Sequence, residues 1–343
     1  MLRKILLFTS LVFLVQISFS QEIGKTISDS SYIRPLSDYL NVRLYLSRKY
    51  TNLIISRMGR NQLKYEPNST VNFGIGLTIK SFSLNLAYGF KGLNQDEGKG
   101  TTKFLDLQSH IYKQMLVIDI IAQLYDGFFL ENTSKLSSNF PDNYYLRPDI
   151  DVQLYGISGY YVLNGAKFSY AAPFVQNEIQ EKSAGSFLLG ARAITSFSKS
   201  DSSYIPFFVD DSLYGNFGRV NRMSAYQFGP SGGYAYSLIL KKRFFLTASL
   251  NLAFMIGPVT YWREDGKKER DWQLNPVLGL RAGVGYNSPK WYLGITFLQE
   301  GTSIKGIDNL AEANISGGNV RLNYVKRFKM GKGLKAKLDK IHL

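Results

Sequence analysis

The stretch VNFGIGLTIKSFSLNLAYGF, residues 71–90, alternates apolar side chains with small or polar ones twice over. Val71, Phe73, Ile75, Leu77 and Ile79 share one face, and after Lys80-Ser81 the residues Phe82, Leu84, Leu86, Tyr88 and Phe90 do the same. A period of two marks a strand with one apolar face. A two-residue turn at Lys80-Ser81 sets Ile79 opposite Phe82, Leu77 opposite Leu84 and Phe73 opposite Tyr88. One wall of this hairpin is then wholly apolar, and the other carries Gly, Asn, Ser, Ala and Thr.

The pattern recurs along the chain. Residues 38–57 alternate Leu40, Val42, Leu44 and Leu46 against Asn41, Arg43, Tyr45 and Ser47. Residues 103–112 set Leu105, Leu107 and Ile111 against Asp106, Gln108 and His110, and after Lys113-Gln114 the alternation resumes over 116–124 with Asp119 and Gln123 on the polar side. With the turn at Lys113-Gln114, Gln108 stands opposite Asp119 and His110 opposite Val117. Further runs cover 149–163, 186–198, 225–240, 244–257, 272–286, 291–299 and 317–328. Arg192 and Arg281 fall on the small, polar wall of their runs.

Short links (80–81, 113–114, 240–243, 287–290) alternate with long polar ones (58–68, 93–101, 130–148, 199–224, 258–271, 300–315). The runs are about 10–15 residues, longer than the ~5–6 typical of globular strands, which counts against a soluble sandwich. Aromatic residues gather at run ends: Tyr88 and Phe90, Trp272 and Tyr286, Trp291 and Tyr292, Tyr324 and Phe328. These features define an all-β fold, a transmembrane antiparallel up-and-down β-barrel of about twelve strands over 38–328, with short periplasmic turns and long external loops. Apolar residues face lipid, and Gly, Ser, Asn and Thr face the interior.

The N-terminus supplies the location. Arg3 and Lys4, an apolar run from Ile5 to Ile17 and Ser18-Phe19-Ser20 before Gln21 form a secretory signal peptide over 1–20, cleaved after Ser20. Residues 21–37 then form a periplasmic segment. The chain contains no cysteine, which excludes a lipoprotein anchor, disulfides and thiolate metal sites. The formal net charge is +15, or +13 once Arg3 and Lys4 have left. In an exported chain that charge points to outer-membrane lipids and the phosphates of lipopolysaccharide rather than to nucleic acid. The location expected is the outer membrane of a Gram-negative bacterium. Residues 317–328 suit the closing strand that barrel assembly machinery reads, and a basic tail, 329–343, follows.

Parity constrains the middle of the chain. If 40–57 runs away from the periplasm, every short turn falls on the periplasmic side, provided that 164–185 does not span singly. That segment is expected to be a periplasmic-side insertion or a plug in the lumen, with Asn177, Glu178, Gln180, Glu181, Lys182 and Ser183 as its densest polar cluster. The alternative adds two strands, fourteen in all, with SYIPFFV (203–209) as the second.

Three stretches, YLNVRLYLSRKYTNLII, KFSYAAPFVQNEIQEKSAGSFLLG and FGPSGGYAYSLILKKRFFLTASL, together resemble an uncharacterised domain-of-unknown-function family of exported barrel proteins from Bacteroidetes-type bacteria. The resemblance runs from about Tyr32 to Phe328, and its middle stretch is the most specific part. It implies an outer-membrane location and supplies no activity, ligand or catalytic residue. The position of Ala171 is more often basic in that family, so a charge-pairing role there is weakened in this chain.

Chemistry is sparse. The mature chain holds two histidines, His110 and His342, too few for a histidine zinc site, and neither a metal nor a cofactor is expected. GPSGGYAY and GLRAGVGY lie inside strands without a following helix, so they are not phosphate loops. Asp201, Asp210 and Asp211 lack the regular acidic spacing of a calcium loop. The lumen-facing candidates are Arg43, Asp106, Gln108, His110, Asp119, Arg192 and Arg281, and the three arginines would favour anions in a conducting lumen. The expected function is non-enzymatic: a narrow pore for small solutes, or a structural or docking component, with a partly filled lumen. The competing class is a lipid-modifying hydrolase using His110.

Overall fold

The computed structural model describes residues 28–57, 60–79, 82–89, 97–136, 143–331 and 333. The signal peptide expected over 1–20, the turn 80–81 and nearly all of the basic tail lie outside the described residues.

Fifteen strands follow in chain order: β1 (Ile33–Pro35), β2 (Tyr39–Arg57), β3 (Arg60–Glu66), β4 (Val71–Ile79), β5 (Phe82–Gly89), β6 (Lys103–Lys113), β7 (Leu116–Leu130), β8 (Tyr145–Val162), β9 (Glu178–Gln180), β10 (Ala184–Lys199), β11 (Val220–Leu240), β12 (Phe244–Arg263), β13 (Lys268–Asn287), β14 (Trp291–Lys305) and β15 (Ala311–Lys329). All but β1 and β9 belong to one antiparallel sheet. Ten of them close a barrel through β2–β15–β14–β13–β12–β11–β10–β8–β7–β3 and back to β2. Strands β4 and β5 extend from the lower part of β2, and β6 extends from β7. β3 and β4 are two halves of one pass against β2, broken at 67–70, so the chain makes twelve passes.

The 71–90 hairpin has the register that its alternation dictates, with Ile79 paired to Phe82, Leu77 to Leu84 and Phe73 to Tyr88. The second hairpin corrects the sequence reading. Its turn is Gln114-Met115 and Lys113 pairs with Leu116, so His110 pairs with Asp119 and Gln108 with Ile121. The slip is two residues, which preserves every face and is therefore invisible to a period-two pattern. SYIPFFV forms bends and a turn rather than a strand, which removes the fourteen-strand alternative.

The long loops are also corrected. Residues 60–66 are strand β3, β12 and β13 reach Arg263 and Lys268, β14 runs to Lys305, and β15 starts at Ala311. The reason lies in a reversal of polarity along each strand. In the lower part, toward the short turns, β15 points Val320, Leu322, Tyr324 and Phe328 outward and Asn319, Asn323 and Arg327 inward. In its upper part the inward residues are Ala311, Ala313 and Ile315, and the outward ones are Glu312, Asn314 and Ser316. β8 does the same, with Ile150, Val152 and Leu154 inward against Asp151 and Gln153, as does β12, with Met255, Val259 and Tyr261 above Thr247, Ser249 and Asn251.

The exposed apolar residues therefore form a belt around the lower half. On β12 it runs from Phe244 to Ile256. At ~3.3 Å per residue and ~45° tilt that is about 28 Å, the height of a bilayer's hydrocarbon layer. Above the belt the barrel is an ordinary protein body, apolar within and polar without.

Candidate functional site

The interior is the candidate site, and it is filled in three tiers. The lowest is built by 164–183. It opens from β8, turns at 163–167 beside Met115, forms a four-residue helix (Ala171–Phe174), and pairs β9 with β1 of the N-terminal segment. The helix closes at Gln176: the amides of Val175 and Gln176 both reach Ala171 O at 2.9 Å, and a φ of 64° at Gln176 then turns the chain away from the helix axis. The carbonyls left over at a helix end need donors. Tyr292 Oη donates to Pro173 O (3.0 Å), Arg43 Nη2 to Val175 O (2.8 Å) and Arg327 Nη2 to Gln176 O (2.8 Å). The barrel wall thus holds the insertion from β2, β14 and β15.

All six insertion candidates have places in this tier. Asn177 O accepts from the Leu36 amide at 3.0 Å, and Glu178 accepts from Ser169 Oγ at 2.5 Å. Gln180 is buried, with Oε1 on the Ser169 amide (2.8 Å) and Nε2 donating to Lys167 O (2.6 Å). Glu181 bridges Arg34 (3.0 Å) and Arg243 (3.3 Å), Lys182 lies over the Tyr32 ring, and Ser183 Oγ accepts from the Ile239 amide (2.8 Å).

The middle tier is a buried charge network. Asp119 Oδ1 accepts from His110 Nδ1 (2.6 Å) and Tyr112 Oη (2.7 Å), while its Oδ2 meets Arg281 Nη2 at 2.6 Å. Arg281 also contacts Glu300 (2.5 Å), donates from Nη1 to Tyr112 Oη (2.7 Å) and lies over the Tyr170 ring. Arg192 meets the other oxygen of Glu300 at 3.3 Å. Two guanidiniums face two carboxylates, so this tier carries no excess charge to draw anions. Its geometry is fully used in holding the wall together; removing one member would strand a buried charge.

Beside it, Asp106 takes Lys49 Nζ (3.0 Å), Gln123 Nε2 (2.8 Å) and Tyr125 Oη (3.1 Å), and Gln108 Oε1 accepts from Asn319 Nδ2 (3.3 Å). Sequence reasoning missed Glu300, Tyr112, Tyr170 and Arg327. Glu300 was hidden because 300–315 read as a loop; extending the parity of β14 by one residue brings it inside.

The upper tier is an apolar core in which Leu53, Ile55, Tyr65, Phe128, Val152, Met255, Val259 and Ile315 pack against Tyr204, Ile205, Tyr214 and Phe217 of the 200–219 connection. Arg147 fixes that connection: its Nε and Nη2 reach Asp149 at 2.9 and 2.8 Å, and its Nη1 donates to Ser203 O at 2.9 Å. Burial by itself pushes the Asp149 carboxyl up, but the Arg147 fork and the Asp201 amide outweigh it and hold the group below the usual carboxylate range.

No group of three or more His, Cys, Asp or Glu side chains able to hold a metal occurs among the described residues. His110 has Asp119 and Tyr112 as its side-chain neighbours. Ser158, the inward hydroxyl paired across from Asp119, lies on the far side of that carboxylate, so the order is His–Asp–Ser rather than Asp–His–Ser.

A closed antiparallel barrel with an apolar outer belt and a packed interior is the class of fold found in outer-membrane proteins. The chain belongs to the family described as a domain of unknown function, DUF4421, whose model matches residues 27–328. No curated protein matches it. Among solved structures it is similar to the outer membrane protease OmpT from Escherichia coli, with 11% identity, TM-score 0.39, and coverage of 90% of this chain and 100% of that one. It is also similar to the Pseudomonas putida toluene transporter TodX, with 10% identity, TM-score 0.31, and coverage of 89% and 94%.

Proposed function

We propose that this chain is a non-conducting outer-membrane barrel of a Gram-negative bacterium, a structural or docking component whose lower half is embedded in lipid and whose upper half is displayed outside the cell. The observation that carries this reading is the filling of the interior from end to end: insertion, charge network and apolar core. In this orientation the insertion and the short turns are periplasmic, the N-terminal segment is delivered there by cleavage after Ser20, and the β15–β2 seam is the closure made by barrel assembly machinery. The narrow-pore reading has less support, because Arg192 and Arg281 are neutralised and the upper core leaves small solutes no polar path. Hydrolysis has less support too: Asp119 takes the Nδ1 edge of His110, and among the described residues no serine or threonine hydroxyl is hydrogen-bonded to its Nε2, where a nucleophile would have to stand.

Planar bilayers test it. The purified native protein is expected to give no conductance steps, and deletion of 170–184 alone is expected to stay silent because the apolar tier above persists. Regular steps from the native protein would overturn the reading in favour of a pore. A change in lipid A mass on adding native protein, absent from His110→Ala, would overturn it in favour of an enzyme.

A further inference from the structure

Just above the apolar belt, one side of the barrel carries a row of cations at successive paired positions. Lys199 on β10 pairs with Arg222 on β11, Arg222 with Trp262 on β12, and Trp262 with Lys268 on β13. All four lie on the outward parity of their strands, and the three cations are exposed. Arg222 and Lys268 both lie over the Trp262 ring, at 4.7 and 5.4 Å from its centre. Arg270, also outward and exposed, stands between Lys268 and the belt residue Trp272.

Two features make this row more than a solvated face. Like charges directly across a ladder are unfavourable, yet Lys199 and Arg222 are placed so, and none of the ion pairs within 4 Å among the described residues involves Lys199, Arg222 or Lys268. Beside them is a depression of about 310 Å³ lined by Lys199, Arg222, Phe197, Ser198, Gln153 and Asp151. Asp151 is paired with Lys199 and is the one acidic side chain of that lining; its Oδ1 accepts from Gln153 Nε2 at 3.0 Å.

Height and position select the ligand. Lys199 is the next outward residue after Phe197, while Arg222 and Lys268 are the second beyond Tyr226 and Trp272. One outward step is ~7 Å along a strand and ~5 Å along the barrel axis at ~45° tilt. The cations therefore sit about 5–10 Å above the belt, at the depth of lipid headgroups. On the opposite side β2 presents one exposed cation, Arg48, next after Leu46, and above it β14, β15 and β2 present Gln299, Gly301, Asn314, Ser316 and Asn52, without a row of cations on neighbouring strands.

We infer that Lys199, Arg222 and Lys268, positioned around Trp262, bind the phosphate headgroup of an anionic glycolipid in the outer leaflet. A phosphate between Lys199 and Arg222 relieves their repulsion, and the acyl chains run down over Phe197 and Tyr226. The inference rests on the membrane placement proposed above; if that placement is wrong, the protein fractionates as soluble and its migration does not change on boiling, which is read separately.

The test is native mass spectrometry of the full chain in detergent micelles, titrated with bis-phosphorylated lipid A, phosphatidylcholine or inorganic phosphate. The native chain is expected to retain lipid A and not phosphatidylcholine. The variant K199Q/R222Q/K268Q is expected to lose at least tenfold in lipid A affinity, whereas K241Q/K242Q/K290Q, with the same charge change at the opposite end of the barrel, stays within about twofold. All three substituted sites in each variant are exposed, and heat-modifiable migration checks that both fold. Equal losses in the two variants, or none in the first, would overturn the site. Displacement of lipid A by millimolar inorganic phosphate would show a free-phosphate site and overturn the assignment to a lipid.

Discussion

The lower and upper halves of this barrel are made by the same strands and solve opposite problems. Along β15 the inward residues change from Arg327 and Asn323 to Ile315 and Ala313, while the outward ones change from Tyr324 and Leu322 to Asn314 and Glu312. Strand geometry does not change between them; the surroundings do. In the membrane placement proposed, lipid accepts the apolar side chains below, and the interior there can hold polar groups only by pairing them. Above, water takes the outer face, and the interior collapses into an apolar core as in a soluble protein. Alternation alone therefore fixes the fold, and its phase relative to solvent fixes the height of each residue.

The largest expected effect comes from moving a charge into the upper interior. Ile315→Asp places an unpaired carboxylate among Leu53, Ala313 and Tyr261 and is expected to cost about 3–5 kcal/mol, whereas Ser316→Asp, one residue on and outward, stays within about 0.5 kcal/mol. Unfolding in urea from detergent or lipid measures both. On the lower half the rule reverses. Leu278→Arg on the exposed belt is expected to cost about 2–4 kcal/mol near the midplane, while inward Gly279→Ser is tolerated, since an added Cβ finds nothing nearer than 4.0 Å. Equal tolerance at 278 and 279 would break the comparison.

Smaller effects concern the two closures. Arg327→Met removes the donor to Gln176 O and Ser288 O and is expected to cost about 1–3 kcal/mol, seen as faster amide exchange in 171–180 with the upper tier unchanged. At the other end, Asp149 has a carboxyl held below its unfolded range, so its contribution is complete above the unfolded value of about 3.9 and is lost as pH falls through the lower folded value. Pepsin is expected to cut the 200–219 connection faster as pH drops below about 4, and Asp149→Asn is expected to remove that dependence. The orientation has its own check. An impermeant thiol reagent on intact cells is expected to label Lys267→Cys and to miss Lys182→Cys, both exposed positions in a chain without cysteine.

The sequence made the lower half legible. Hairpin 71–90 could be paired residue by residue because its turn is short and its two faces differ sharply. The inward placement of Arg43, Asp106, His110, Asp119, Arg192 and Arg281 followed from parity alone. What parity could not supply was register, since the slip of two at Gln114-Met115 moves no side chain to another face yet decides that His110 meets Asp119. The upper half was misread as loops because β3 and the upper parts of β12–β15 keep the alternation with its polarity reversed, and a search for outward apolar residues finds none there. Partners of Arg281 drawn from β6 and β7 are non-local, and no spacing in the chain encodes them, whereas Glu300 stands on the adjacent strand of the same hairpin and was lost only with the end of β14.

The reversal of polarity within one strand is tested most directly by two single-cysteine variants on β15, Asn314→Cys and Leu322→Cys, each carrying a fluorophore in reconstituted bilayers. Both sites lie on the outward parity, eight residues apart. Quenching by iodide at 314 and by lipid-borne nitroxide at 322, with neither quencher effective at the other site, is the result expected. The same quenching profile at both positions would mean that the whole strand faces one medium, and would contradict the division of this barrel into a lipid-embedded half and a displayed one.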